Sequence, residues 1–369
     1  ASLGSVFVLL FPLLPDFWPW LALRFGAGWC IAGLYTLMES WLNERASNRN
    51  RGGVMAVYTL INMSMIMMGQ MLINLADVSG PVLFAVASIL FSAALVPVAL
   101  SNDAPAPIRD VRIQPLVLWR TSHVACTGSL LAGAATGAFW GLAPIYASSA
   151  GLDTFQVTLF VAAAVGGGAA SQIPLGRLSD RLDRRIVMLG AAGIAAASAA
   201  LLALVPTVSA APPMVLLGCL SGLFGAFVMP LYALSVAHAN DRANAGDFVA
   251  IGSGVLMLFG LGSALGAPLA GLSTVWLGSS GLFAFVTLAL VLLMAGVAWR
   301  RRVRAAPVQQ MAEQPFVAVS DLAPLPLDLD PRVEDQKGTA GQNSTDPESP
   351  PASGPPEVGV PAGGVKPAS

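Results

Sequence analysis

The sequence predicts an all-α polytopic membrane protein, and three observations carry that prediction. Of its 369 residues, 55% are hydrophobic and 11% charged, against roughly 25% charged in soluble domains. Its apolar residues gather in ten stretches close to the ~20 residues that a helix needs to cross a bilayer. Its arginines fall on alternate connections between those stretches, as expected of a chain threaded through a membrane.

The stretches follow in order. The first, about 1–15, is short, and Ala1 already lies inside an apolar run. A signal peptide would open with a basic region, so the sequence is expected to start mid-protein. The second, 18–40, enters on Trp18 and Trp20 and closes on Glu39; 53–76 follows with a run of methionines, then 80–100. After a polar connection come 119–146, 154–175, 186–206, 213–236, 247–271 and 280–299. Backbone groups in hydrocarbon must be satisfied within their own segment, so each stretch reads as a helix. No ten-residue alternation of period two suggests a barrel. The division expected is an N-terminal bundle over 1–100, a central cytoplasmic loop over 101–118, a C-terminal bundle over 119–305 and a cytoplasmic tail over 306–369. The tail holds Arg332, Lys337 and Lys366 against nine acids and 12 of the 27 prolines, a composition that reads as disordered.

Orientation follows from the basic residues. Arg45, Arg49 and Arg51 share one face with Arg109, Arg112 and Arg120, with Arg177, Arg181, Arg184 and Arg185, with Arg242, and with Arg300, Arg301, Arg302 and Arg304. The intervening connections, near Asp16, Asp77, Asp153, Pro212 and Gly278, carry none. The arginine face is therefore expected to be cytoplasmic, with the C-terminal tail on that side.

An internal repeat sets the expected span number. Ala46, Arg49 and Gly53 recur as Ala239, Arg242 and Gly246 at a constant offset of 193, which also carries Gly69 onto Gly262. Both segments lead from an arginine-face loop into a helix, so two halves repeat in parallel. The second half shows six spans and the first four. Two further spans, about 75–80 residues at the usual span length, are expected ahead of Ala1, for 10 of 12 helices in the sequence.

The sharpest motif is Gly176-Arg177-Leu178-Ser179-Asp180-Arg181-Leu182-Asp183-Arg184-Arg185, on a short arginine-face loop. It resembles the loop signature of the major facilitator superfamily, G-x-x-x-D-R-x-G-R-R, with Asp183 where the signature has its second glycine. Asp180 is expected to accept N–H groups at a neighbouring helix N-terminus, while Arg181, Arg184 and Arg185 clamp carboxylates. With Gly176, these residues would latch one conformation and release the other. The stretch from Glu39 through Glu44, Arg45 and Gly52 is similar to the YcaD-like branch of bacterial facilitators. The resemblance covers about 1–305. It implies two six-helix bundles rocking about a site near the membrane centre, driven by an ion gradient, with protons as the expected coupling ion.

Coupling candidates are Arg24 and Glu39. Arg24 is the only basic residue left within a span, where an ionised group is costly and functional by default; with Gly28 it matches an R-x-x-x-G pattern of the resembling family. The open alternative is a side chain snorkelling to the outer interface. Glu39 either shuttles protons or pairs with a loop arginine. Substrate-cavity candidates are Asn62, Gln70 and Asn74, which fall within a 120° arc of one helix, since eight and twelve residues at 100° return to 80° and 120°, together with Trp140 and Gln172. Such a polar face lines a cavity or bonds to a neighbouring helix.

No basic stripe points to nucleic acid, and no phosphate-binding loop, dinucleotide fingerprint or triad is present. Cys30, Cys126 and Cys219 lack metal or disulfide spacing. No cofactor or metal is expected. The function expected is that of a non-enzymatic secondary transporter, a monomer in the bacterial inner membrane, with lipid, a small organic solute and protons as partners. A non-transporting sensor and a membrane-embedded enzyme are the other classes kept.

Overall fold

The computed structural model describes residues 2–45, 51–100, 118–119, 121–209, 212–242 and 248–303. Among these, helices account for every element. They are α1 (Ser2–Leu10), α2 (Phe17–Arg45), α3 (Arg51–Leu72), α4 (Val82–Ala93), α5 (Leu95–Ala99), α6 (His123–Ser149), α7 (Thr154–Arg181), α8 (Arg184–Val208), α9 (Met214–Val228), α10 (Pro230–Asn240), α11 (Phe248–Leu277) and α12 (Gly281–Val303). The central loop 101–117, the tail from 304 and most of the repeated loop residues lie outside the described residues.

Six helical stretches among the described residues are long and apolar enough to cross a membrane; the last, Ile251–Val303, holds both α11 and α12, parted by Gly278–Ser280. The ten expected spans each contain helix, with boundaries shifted for local reasons. The first ends at Leu10 and tightens into a 3₁₀ turn over Phe11–Leu13, where Pro12 cannot donate to the ladder. The fourth divides at Ala94 into α4 and α5. The span expected from 119 begins instead at His123, because Ser122 caps it through the Ala125 N–H. The span expected over 213–236 divides at Met229, ahead of Pro230, and runs on to Asn240.

Turn chemistry fixes the connections. Gly151, at φ 86°, and Gly278, at φ 61°, supply the left-handed residues of two turns. Asp153 and Gln156 form a reciprocal capping box that starts α7, at 2.8 and 3.1 Å. The Ser79 N–H donates to Asp77 at 2.9 Å and, with the Ser79 hydroxyl, holds that exposed carboxyl below its ordinary range.

The core lies among α6–α12. Phe139, Tyr146, Phe160, Phe224 and Phe283 come from four helices and meet with ring centroids 4.7–6.4 Å apart. Small residues let backbones touch. A Cβ added at Gly262 or Gly266 would overlap the Leu130 or Ala134 carbonyl of α6, and one at Gly225 would overlap the Ala164 carbonyl of α7. Two prolines orphan carbonyls that neighbouring helices then serve. Pro206 cannot donate to Leu202 O, and the Tyr146 hydroxyl does so at 2.6 Å. Pro230 cannot donate to Ala226 O, which accepts from the Ser171 hydroxyl. Helices α1–α4 bury much less. In α2, 11% of the apolar window is buried, against 61% in α6.

Candidate functional site

The polar face of α3 does not converge on one point. Asn62 is buried and its side-chain carbonyl accepts the Tyr35 hydroxyl of α2 at 2.9 Å. Three turns on, Asn74 lies in the 3₁₀ turn Ile73–Leu75 that ends α3 and donates to Thr158 Oγ1 of α7 at 2.9 Å. Each of these two asparagines thus bonds to a neighbouring helix. Gln70 is half-buried between them. The Asn74–Thr158 bond sits at the arginine-free end of both helices. Met63, also on α3, belongs to the core cluster formed mainly by α6–α12.

On the facing helices, Gln172 is 5% exposed and its Oε1 has no hydrogen-bond partner among the described residues. An unserved buried carbonyl is costly and marks the middle of α7 as a place where a polar group is called for. Trp140 is half-exposed and packs edge-on against Phe139 at 5.9 Å. Arg24 is exposed on α2 and makes no ion pair or hydrogen bond among the described residues. Glu39 lies in α2, and its side chain is outside the described residues.

At the other end, the connection between α7 and α8 is two residues, Leu182 and Asp183. The N-terminus of α8 is capped by Asp183, which stands at the signature's second glycine and accepts the Arg185 N–H at 2.9 Å. Asp180 lies in the last turn of α7 and faces Arg184 Nη1, in the first turn of α8, at 3.3 Å. Arg184 also binds Asp241 through Nε at 2.7 Å and donates to Ser179 Oγ at 3.1 Å. It thereby ties the end of α7 to the end of α10. Gly176 is buried, and its carbonyl accepts the Ser179 hydroxyl at 2.8 Å. Arg181 is exposed, with no ion pair among the described residues, whereas Arg185 is 3% exposed and turned into the bundle. The clamp is thus centred on Arg184.

A profile of the Major Facilitator Superfamily matches residues 1–251 and 125–332. The chain belongs to that superfamily. Among curated relatives of this facilitator, an uncharacterized MFS-type transporter of Yersinia pestis (strain Pestoides F) is 27% identical over 260 residues, covering 70% of this chain and 66% of the relative. The uncharacterized MFS-type transporter YcaD of Escherichia coli O7:K1 is 27% identical over 263 residues, covering 69% and 65%. The alignments thus take in slightly less than two thirds of the relatives' length. Among solved structures, the Escherichia coli fucose:proton symporter aligns over 81% of both chains, at 14% identity and a TM-score of 0.48.

Within this facilitator, sequence reasoning missed Thr158, Ser179 and Asp241 as partners of its candidates. Thr158 and Ser179 carry no spacing signal of their own. Asp241 was readable in principle, standing beside Arg242 in the repeated loop motif.

Proposed function

We propose that this facilitator is the body of a secondary transporter that moves a small organic solute across the bacterial inner membrane by alternating access, with protons as the coupling ion. The observation that carries the reading is a tie between the two sets of helices. Asn74–Thr158 joins α3 to α7 at the arginine-free end, and Asp180–Arg184–Asp241 joins α7 to α10 at the other. Gln172 lies buried on α7 between them. Rocking of one bundle on the other needs contacts between them that form and break; Asn74–Thr158 is of that kind, and the Asp180–Arg184–Asp241 tie holds helix ends together inside the second bundle. The relatives' description as MFS-type transporters supports the same reading. In this proposal residues 1–100 and 119–305 are the two bundles, joined by 101–118, and the tail from 306 is cytoplasmic. Gln172, Gln70 and Trp140 face the solute path, and Arg24 and Glu39 govern coupling.

The test is reconstitution into vesicles with an imposed proton gradient. Candidate solutes come from a thermal-shift panel, where a true ligand at 100-fold its dissociation constant adds about 2.7 kcal/mol to stability. Asp180→Asn and Arg24→Ala are each expected to cut transport by about tenfold, the effect of ~1.4 kcal/mol. Wild-type rates in both variants would remove the roles given to these residues, and absence of flux for every stabilising solute would remove the transport reading.

A further inference from the structure

We propose that the outward face of α12 is a binding stripe for an anionic phospholipid, with the headgroup at Arg302 and an acyl chain along the helix beside it. Burial sorts α12 into two faces. The helix packs on α6 and α8, and Val286, Leu290, Leu293 and Val297 are fully buried. Leu288, Leu292, Ala295, Trp299 and Arg302 are all exposed. At ~100° per residue these five fall within an arc of about 80°, opposite the buried four.

The order of side chains along that stripe defines the partner. Leu288, Leu292 and Ala295 are apolar, Trp299 is aromatic and 70% exposed, and Arg302 follows as an exposed cation. A phospholipid in one leaflet has the same order of acyl chain, polar interface and phosphate. The lengths agree as well. The rise from Leu288 to Trp299 is about 16 Å at ~1.5 Å per residue, and one leaflet of a ~30 Å hydrocarbon core is about 15 Å thick. Tryptophan settles where acyl chains meet headgroups, so the phosphate level falls at Arg302. Cations in a last turn complement the helix dipole by themselves, but that effect places no demand on Trp299 or on the apolar face leading to it. Arg300 and Arg301 share the turn with Arg302, and Arg304 follows in the sequence. Arginines clustered directly past a spanning helix draw anionic over zwitterionic lipid, and a guanidinium fork matches phosphate oxygens pairwise. The competing occupant is this chain's own tail, where residues 306–369 carry nine acids against three cations. The stripe favours lipid, because an acidic segment serves Arg302 but leaves the apolar length from Leu288 to Trp299 uncovered. The inference needs only that the chain crosses a membrane, and it stands apart from the transport reading.

The test uses the purified full chain in vesicles and reads Trp299 as a contact probe. Tryptophan fluorescence is quenched by phospholipids carrying bromine on their acyl chains, and the wild-type signal minus that of Trp299→Phe isolates the one indole. Brominated phosphatidylglycerol is expected to occupy the stripe at least about fivefold better than brominated phosphatidylcholine, the effect of ~1 kcal/mol for one arginine near the surface. Arg302→Gln is expected to remove most of that selectivity and Arg302→Lys to keep it. Arg177→Gln, exposed at the same end on α7, is expected to leave it as in the wild type. Thermal unfolding of each variant separates lost binding from lost folding. Equal quenching of Trp299 by the two lipids overturns the proposal and leaves the turn to the tail. Equal loss of selectivity in Arg177→Gln and Arg302→Gln overturns it in favour of a charge effect spread over the whole end.

Discussion

Arg184 and Tyr146 illustrate how single side chains close local accounts. Arg184 is 11% exposed and Asp241 34%, so their 2.7 Å contact is only partly screened. A double-mutant cycle with Arg184→Ala and Asp241→Ala is expected to give a coupling of about 0.5–1 kcal/mol in unfolding free energy, shrinking as salt is raised. Tyr146 has a sharper duty, because Pro206 leaves Leu202 O without its helical donor. Tyr146→Phe should cost about 1–2 kcal/mol, the penalty of an unserved buried carbonyl. In a Pro206→Ala background, where the helix supplies its own N–H, the same substitution should cost less; equal losses in thermal unfolding would refute the compensation. The cap of α8 was not legible from sequence. Asp183 stands where the signature has a glycine, and only the two-residue length of the loop brings it to the Arg185 N–H.

Among the helices, glycine placement separates contact from slack. Gly262 and Gly266 face carbonyls of α6, while Gly260 and Gly271 meet nothing within 4 Å. Gly262→Val is expected to lower stability by at least about 1–3 kcal/mol through overpacking. Gly260→Ala and Gly271→Ala should be neutral or gain about 0.5–1 kcal/mol of helix propensity, all read by thermal unfolding in one detergent. Sequence alone does not distinguish these positions along α11, because which glycine meets a backbone depends on the crossing of two helices. The helices themselves were legible. Span length and the one-sided arginines are one-dimensional signals set by bilayer thickness and charge. The partners of Asn62 and Asn74 were not, since a polar arc of 120° meets α2 at one point and α7 at another.

For the molecule as a whole, the seam between α3 and α7 is the contact to challenge. Asn74→Cys with Thr158→Cys should be joined by a short bis-methanethiosulfonate reagent, which replaces the reach of the native asparagine hydrogen-bonded to Thr158 at 2.9 Å. In vesicles the cross-link should abolish solute flux, with recovery on reduction. Undiminished flux in the cross-linked protein would show that this seam need not open. The 193-residue repeat relates α3 to α11, yet the paired glycines have different surroundings. Gly262 is pressed against α6, while Gly69 meets nothing within 4 Å. Sequence symmetry was readable, and the unequal packing was not, because a repeat fixes what a residue is and leaves open what faces it.

Where α6 and α11 touch main chain to main chain along Gly133, Gly137, Gly262 and Gly266, there are no long side chains to re-pick rotamers as the helices shift. Such a joint tolerates neither sliding nor tilting by small amounts. The two helices must therefore travel as a single stiff plank, and any motion of the protein is left to seams cushioned by flexible methionines, such as that of Met67 on α3 against Gly166 on α7.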